Sequence, residues 1–138
     1  MCLIKTIKLK ELERYCITNI LKEDKVVIKI LYKDTINKFL FKKYNYYSPY
    51  EDYKYIKGKL NISPLGVYAQ IASNTGNLEI IINEGFHSFR TKDDAYKSEL
   101  ISDSKAVLCR CIIPKGSTIV YNDSEIVSNQ IIFIEELK

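Results

Sequence analysis

Apolar residues run along this chain in short, β-branched clusters separated by polar turns, and most of the pattern predicts strands. Positions 25–32, with Val26, Val27, Ile28, Ile30 and Leu31, read as one strand, and 38–42 as a second. Asp34-Thr35-Ile36-Asn37 supplies a hairpin turn between them. Positions 66–72 and 77–82 flank the turn signal Asn74-Thr75-Gly76-Asn77 and read as a further pair. The strongest strand is 106–113, which stops at Pro114-Lys115-Gly116 because a central strand cannot continue through proline. Two more strands, 118–121 and 130–134, follow around Asn122-Asp123-Ser124.

A different period appears twice. Leu9, Leu12, Cys16 and Ile20 recur at helical spacing, which predicts an amphipathic helix over 8–22. Thr91 followed by Asp94 resembles a capping box and predicts a second helix running to about Leu100. The resulting expectation is a single α+β domain: a curved, mainly antiparallel sheet with one or two helices. Residues 1–24 form an N-terminal helical extension in this reading, and 25–138 the α+β core.

Composition agrees with one globular domain, since 46% apolar and 28% charged residues over 138 positions exclude a disordered chain. No apolar run reaches the roughly 20 residues of a membrane helix, and the first residues carry no secretory pattern, so a cytoplasmic protein is expected. Four cysteines do not alter this. Cys109 and Cys111 share one strand face and lack a zinc or redox spacing, so they read as small buried hydrophobes.

Charge is uneven. Residues 1–62 carry 14 basic and 7 acidic side chains, whereas 63–138 carry 7 basic and 10 acidic. A basic first half favours an anionic partner, although AT-rich codon usage also supplies lysines. The acidic second half and the presence of only three arginines weigh against a conventional nucleic-acid domain.

Six of the eleven tyrosines fall between positions 44 and 55, interleaved with Ser48-Pro49 and bordered by Lys42, Lys43, Lys54, Lys57 and Lys59. Aromatic faces stack on bases and their hydroxyls reach water, so the segment reads either as a recognition surface or as packing over a small sheet. His87 is the only histidine, which excludes a multi-histidine metal site within the chain. It reads first as a structural group in the junction Gly85-Phe86-His87-Ser88-Phe89, and second as a ligand contact. Pro114-Lys115-Gly116-Ser117 lacks the full phosphate-loop spacing and reads as a strand-end turn, with an anion-reaching Lys115 as its alternative. No catalytic constellation, metal site or cofactor site emerges.

Three segments carry a resemblance: Ser48-Pro49-Tyr50-x-x-Tyr53-x-Tyr55-x-x-Gly58, then Gly85-Phe86-His87-Ser88-Phe89 with Ala95 beyond it, then Cys111-Ile112-Ile113-Pro114-Lys115-Gly116-Ser117 with Ile126-Val127-Ser128. In this order they resemble small proteins of bacteriophages and mobile elements, over about residues 25–134. The resemblance implies an accessory role against host defences in the host cell cytosol, and no reaction. More weakly, 107–117 and the hairpin after it are similar to the last sheet of ADP-ribosyltransferase-like domains. Those place a glutamate just before the strand corresponding to 131–134. Here Ser128, Asn129 and Gln130 stand nearby, and Glu125 lies earlier.

The expected function is therefore non-enzymatic binding of an anionic small molecule, a nucleotide-derived signalling molecule first. Tyr50, Tyr53 and Tyr55 would stack, while His87, Arg90 and Lys115 would hold phosphate. Alternatives are a protein inhibitor of a host effector, presenting the tyrosine segment, and a degenerate ADP-ribosyltransferase-like enzyme using Glu125. The first reading requires the three segments to meet in space.

Overall fold

The computed structural model describes residues 4–8, 19–38, 41–49, 53–64, 66–74, 77–121 and 123–137. Thirteen strands occur among them. They are β1 (Ile4–Lys8), β2 (Asn19–Ile20), β3 (Lys25–Lys38), β4 (Phe41–Tyr47), β5 (Lys54–Tyr55), β6 (Leu60–Ile62) and β7 (Tyr68–Asn74). After these come β8 (Asn77–Glu84), β9 (Phe86–Phe89), β10 (Ala106–Ile113), β11 (Thr118–Tyr121), β12 (Glu125–Ser128) and β13 (Gln130–Glu136). A single α-helical turn, α1 (Lys92–Tyr96), and a 3-10 turn, Glu99–Ser102, lie between β9 and β10.

All the described pairings are antiparallel. Strands β1, β8 and β7 form a three-stranded sheet, and the larger sheet runs β2-β11-β12-β9-β3-β10-β13-β6, with β4 and β5 attached through β3. The long β3 is the spine. Its first half pairs with β10 from Lys25↔Ile113 to Tyr32↔Ala106. Its opposite edge is divided, because the pairing with β9 occurs at Ile28↔Phe89 and that with β4 begins only at Tyr32↔Tyr47.

From Val27 to Leu31 both faces of β3 are buried. Val27 and Leu31 point into the main core with Tyr55, Phe86, Cys109, Cys111, Ile113, Ile119, Ile126, Ile131 and Phe133. Ile28 and Ile30 point the other way, where they pack with Phe89 and Leu108 against Ala95 of α1 and Leu100 and Ile101 of the 3-10 turn. A strand covered on both sides reads as a continuous apolar run rather than a clean alternation, which is what 27–31 shows apart from Lys29. Burial pushes the Cys111 thiol up to about 12 and raises that of Cys109 further, so both are protonated hydrophobes in the core.

The fold is β-rich, and the α+β expectation is wrong. Its first predicted helix, 8–22, begins on Lys8, which closes β1, and ends beyond Asn19–Ile20, which form β2 on β11. Leu9, Leu12 and Cys16 lie outside the described residues. The second starts where expected, with the Thr91 hydroxyl accepting from the Asp94 amide at 3.2 Å. It stops after one turn, because Ser98 turns extended (ψ 141°) and uses its own hydroxyl to cap the 3-10 turn. The hairpin turn is also displaced: Asp34–Asn37 continue β3 and pair with Asn45 to Lys42, so β4 begins at Phe41. Thr35 and Ile36 favour extended backbone, and the ladder outweighs the turn preference of Asp34 and Asn37.

Gly85 joins β8 of the small sheet to β9 of the large one, and no other residue fits there. Its φ is +123°, and a Cβ would stand 2.5 Å from Val127 Cγ1 and 3.2 Å from the Ser128 carbonyl oxygen. Gly58 also has positive φ, +80°, but a Cβ there meets nothing. Urea unfolding should therefore separate them: Gly85→Ala is expected to cost about 3 kcal/mol or more, from backbone strain plus overpacking, and Gly58→Ala about 1 kcal/mol. Equal losses would mean that the approach of β9 to β12 is not tight.

Candidate functional site

Where the edge of β3 divides, the sheet leaves a cleft. Its walls are Lys29 and Ile30 of β3, Ser48 and Pro49 after β4, Tyr53 and Tyr55 around β5, and the β8–β9 junction from Glu84 to Phe89. Ile62, Ser63, Pro64, Leu100 and Glu125 also line it. A volume of about 350 Å³ falls at the lower end of small-molecule sites.

Lys29 lies at its base. Alternation puts its side chain on the same face as Val27 and Leu31, and it is 6% exposed. A buried ammonium needs compensation, and the Nζ donates to the His87 carbonyl oxygen while standing 5.4 Å from the centre of the Tyr55 ring. The lysine thereby ties β3 to β9 just past the point where their ladder ends.

Three aromatic rings form one wall. Tyr53 meets Tyr55 edge-on at 4.9 Å between centroids, and Phe86 lies 5.8 Å from Tyr53 and 6.2 Å from Tyr55. Tyr55 is buried, whereas Tyr53 is partly exposed and anchored by its hydroxyl, which donates to Asn61 Oδ1 at 2.8 Å. Asn61 is in turn fixed by donating to the Lys59 and Ile131 carbonyls. These hydrogen bonds place the Tyr53 ring against Tyr55 and Phe86.

His87 is neutral. Burial, and then the nearby Lys29 ammonium, lower its pKa to about 3. It can offer a hydrogen bond but not a charge to a phosphate. Its Nδ1 is buried without a hydrogen-bond partner, and so is Ser88 Oγ on the next residue. Unpaired buried polar atoms are rare enough to require an explanation, and β9 carries one on each face: Ser88 Oγ on the side of Phe86 and Ile126, His87 Nδ1 on the side of Phe89. Carboxylates contribute as well: Glu84 precedes the Gly85 junction, and Glu125, paired across the ladder with Phe89, also lines the cleft. Among the described residues no cluster of histidine, cysteine and carboxylate side chains could hold a metal ion.

The structure brings together three of the sequence candidates, Tyr53, Tyr55 and His87. Tyr50 lies outside the described residues. Arg90 and Lys115 are not among the lining residues; the Arg90 guanidinium stands 5.7 Å from the Tyr121 ring. Lys115 sits in the turn after β10, where its amide donates to Asp24 Oδ1 at 2.7 Å and the Gly116 amide to the Leu21 carbonyl at 2.8 Å. Of the three segments expected to meet, Ser48-Pro49 and 85–89 do so, while 114–117 backs onto residues 21–24. Other tyrosines serve packing. Tyr46 lies 4.9 Å from Phe133 and donates to Glu136, and Tyr44 flanks the Lys33 ammonium.

Sequence reasoning missed Lys29, Ser88, Glu84 and the placement of Glu125. Lys29 carried a signal: a lysine two residues from Val27 and two from Leu31 shares their inward face. Nothing local marked the glutamates, because their meeting depends on the pairing of β12 with β9.

The His87 shift has a pH consequence. A histidine whose folded pKa is lowered leaves the unfolded state binding more protons, so stability is full above about pH 6.5 and declines as pH falls toward 3. In an NMR titration the His87 ring signals should stay constant from pH 8 to about 5. Lys29→Met should raise the pKa in part, leaving it below 6.5 because burial is the larger cause. An ordinary titration near 6.5 in the wild-type protein would contradict this geometry.

No protein-family model, curated protein or solved structure matches the chain, so its functional reading rests on the chemistry of this cleft.

Proposed function

We propose that the cleft binds a small planar ligand of about nucleoside size and that the protein sequesters it without turnover. The observation that carries this reading is the aromatic wall of Tyr53, Tyr55 and Phe86 in one cleft with Ser88 Oγ, a buried hydroxyl without a hydrogen-bond partner on the Phe86 face of β9. A ring stacked on the wall would present its polar edge to Ser88 Oγ, and stacking contributes about 1–3 kcal/mol per base. Nucleotide-derived signalling molecules are the first class to test. Among the described lining residues Lys29 is the one lysine or arginine, against Glu84 and Glu125, which favours a ligand with few negative charges. The segment resemblance supports a phage-type accessory protein that acts against host defence in the host cytosol.

Glu125 favours a second reading. It lines the same cleft as the aromatic wall and His87, where an ADP-ribosyltransferase-like domain would place a glutamate near its substrate.

Thermal unfolding against nucleosides, cyclic nucleotides, linear dinucleotides and NAD tests both. A true ligand at 100 times its Kd adds about 2.7 kcal/mol of stability, and Tyr53→Ala should abolish that gain. A panel without effect, or a gain that survives both Tyr53→Ala and His87→Ala, would refute binding in this cleft. Mass spectrometry of the NAD sample separates the readings: unchanged NAD is expected, and nicotinamide release that Glu125→Gln abolishes would replace sequestration with transfer.

A further inference from the structure

The ladder leaves main-chain groups, as well as side chains, without partners in the cleft. Residues of β3 direct their N–H and C=O groups alternately to its two edges. The Lys33 amide donates to the Lys105 carbonyl at 2.9 Å, so Val27, Lys29 and Leu31 likewise bond across to β10. Ile28, Ile30 and Tyr32 therefore face the other edge. There Ile28 pairs with Phe89 of β9, and Tyr32 with Tyr47 of β4. Ile30 lies between these two pairs and has no ladder partner on this edge among the described residues.

Two pairings could close this gap, and neither forms. Continuing the β4 register would set Ile30 opposite Pro49, which carries no N–H to donate to the Ile30 carbonyl. Continuing the β9 register would set it opposite His87, but that ladder stops at Ile28↔Phe89 and the Lys29 ammonium takes the His87 carbonyl. Ile30, Pro49 and His87 all line the cleft, and Ile30 is 3% exposed. Buried main-chain groups are nearly always hydrogen-bonded, so an unladdered residue in the wall of a cleft points to a ligand. One residue is too short to take up an added strand, which pairs along a run of alternate positions. Its N–H and C=O stand side by side, and they match a planar ring whose edge carries a donor next to an acceptor. That is the pattern on the pairing edge of a nucleobase.

We infer that the Ile30 main chain reads the hydrogen-bonding edge of a nucleobase, its C=O accepting from a base N–H and its N–H donating to the acceptor beside it. The inference rests on the reading of the cleft as a site for a planar ligand, and adds the chemical feature by which the site selects one. Stacking on the tyrosine wall accepts any aromatic ring, whereas the Ile30 edge admits only a ring with that donor–acceptor pair.

Amide hydrogen exchange on the free protein tests the geometry without any ligand. Ile30 should exchange faster than Lys29 and Leu31, whose amides bond to β10; equal protection would show that Ile30 already has a partner and would overturn the inference. Adenosine, guanosine, cytidine and uridine then test the chemistry, each beside an analogue methylated on every N–H of its base. At least one parent should bind and slow exchange at Ile30. Methylation of its N–H groups should weaken binding by at least about tenfold, or 1.4 kcal/mol. An analogue of that parent methylated on a ring carbon controls for bulk and should bind as the parent does. If parent and N-methylated analogue bind alike and Tyr53→Ala abolishes both, the cleft reading stands and the Ile30 inference falls. It falls as well if binding leaves Ile30 exchange unchanged, or if none of the four nucleosides binds.

Discussion

One buried charge organises this protein. Lys29 stands on the core side of β3 among Val27, Leu31 and two cysteines, where an ammonium without acceptors costs several kcal/mol. The acceptor includes the backbone carbonyl of His87, and the Tyr55 ring faces the charge. That requirement fixes β9 beside β3 beyond their single ladder pair and positions β5 against both. The ladder alone would not do so, since β9 and β4 use different stretches of the same edge. The cleft is the space that this arrangement leaves.

Several further features follow from the same constraint. The ammonium helps to keep His87 neutral. Tyr55 is drawn inward and Tyr53 stacks on its edge, so part of the tyrosine-rich segment becomes a wall rather than a solvent face. The approach of β9 to β12 then leaves no room for a side chain at position 85, and glycine stands there with positive φ. Cleft and sheet junction are thus one structural unit.

Local pattern revealed most of the strands, because β-branched runs and turn residues act over a few positions. The β10 strand was read with its observed ends, as was β11, and the Thr91 cap was visible in the sequence. Fold class was misread for a physical reason: Ser98 interrupts a helical pattern by capping the next turn, and the 8–22 pattern begins on a strand residue. The site was legible only where its residues are neighbours in the chain. Tyr53, Tyr55 and His87 stood out by composition, whereas Glu125 joins them only through the β12–β9 pairing. Lys115 was attractive because a lysine beside glycine and serine suggests anion binding, yet its turn is committed to Leu21 and Asp24.

The most direct test of the Lys29 tie is amide hydrogen exchange in Lys29→Met, which keeps the side-chain volume and removes the donor. The account predicts faster exchange at Phe86–Phe89, with protection of Leu108, Cys109 and Cys111 in β10 retained. Unchanged protection along β9 would contradict it, because the ladder would then hold that strand without the lysine.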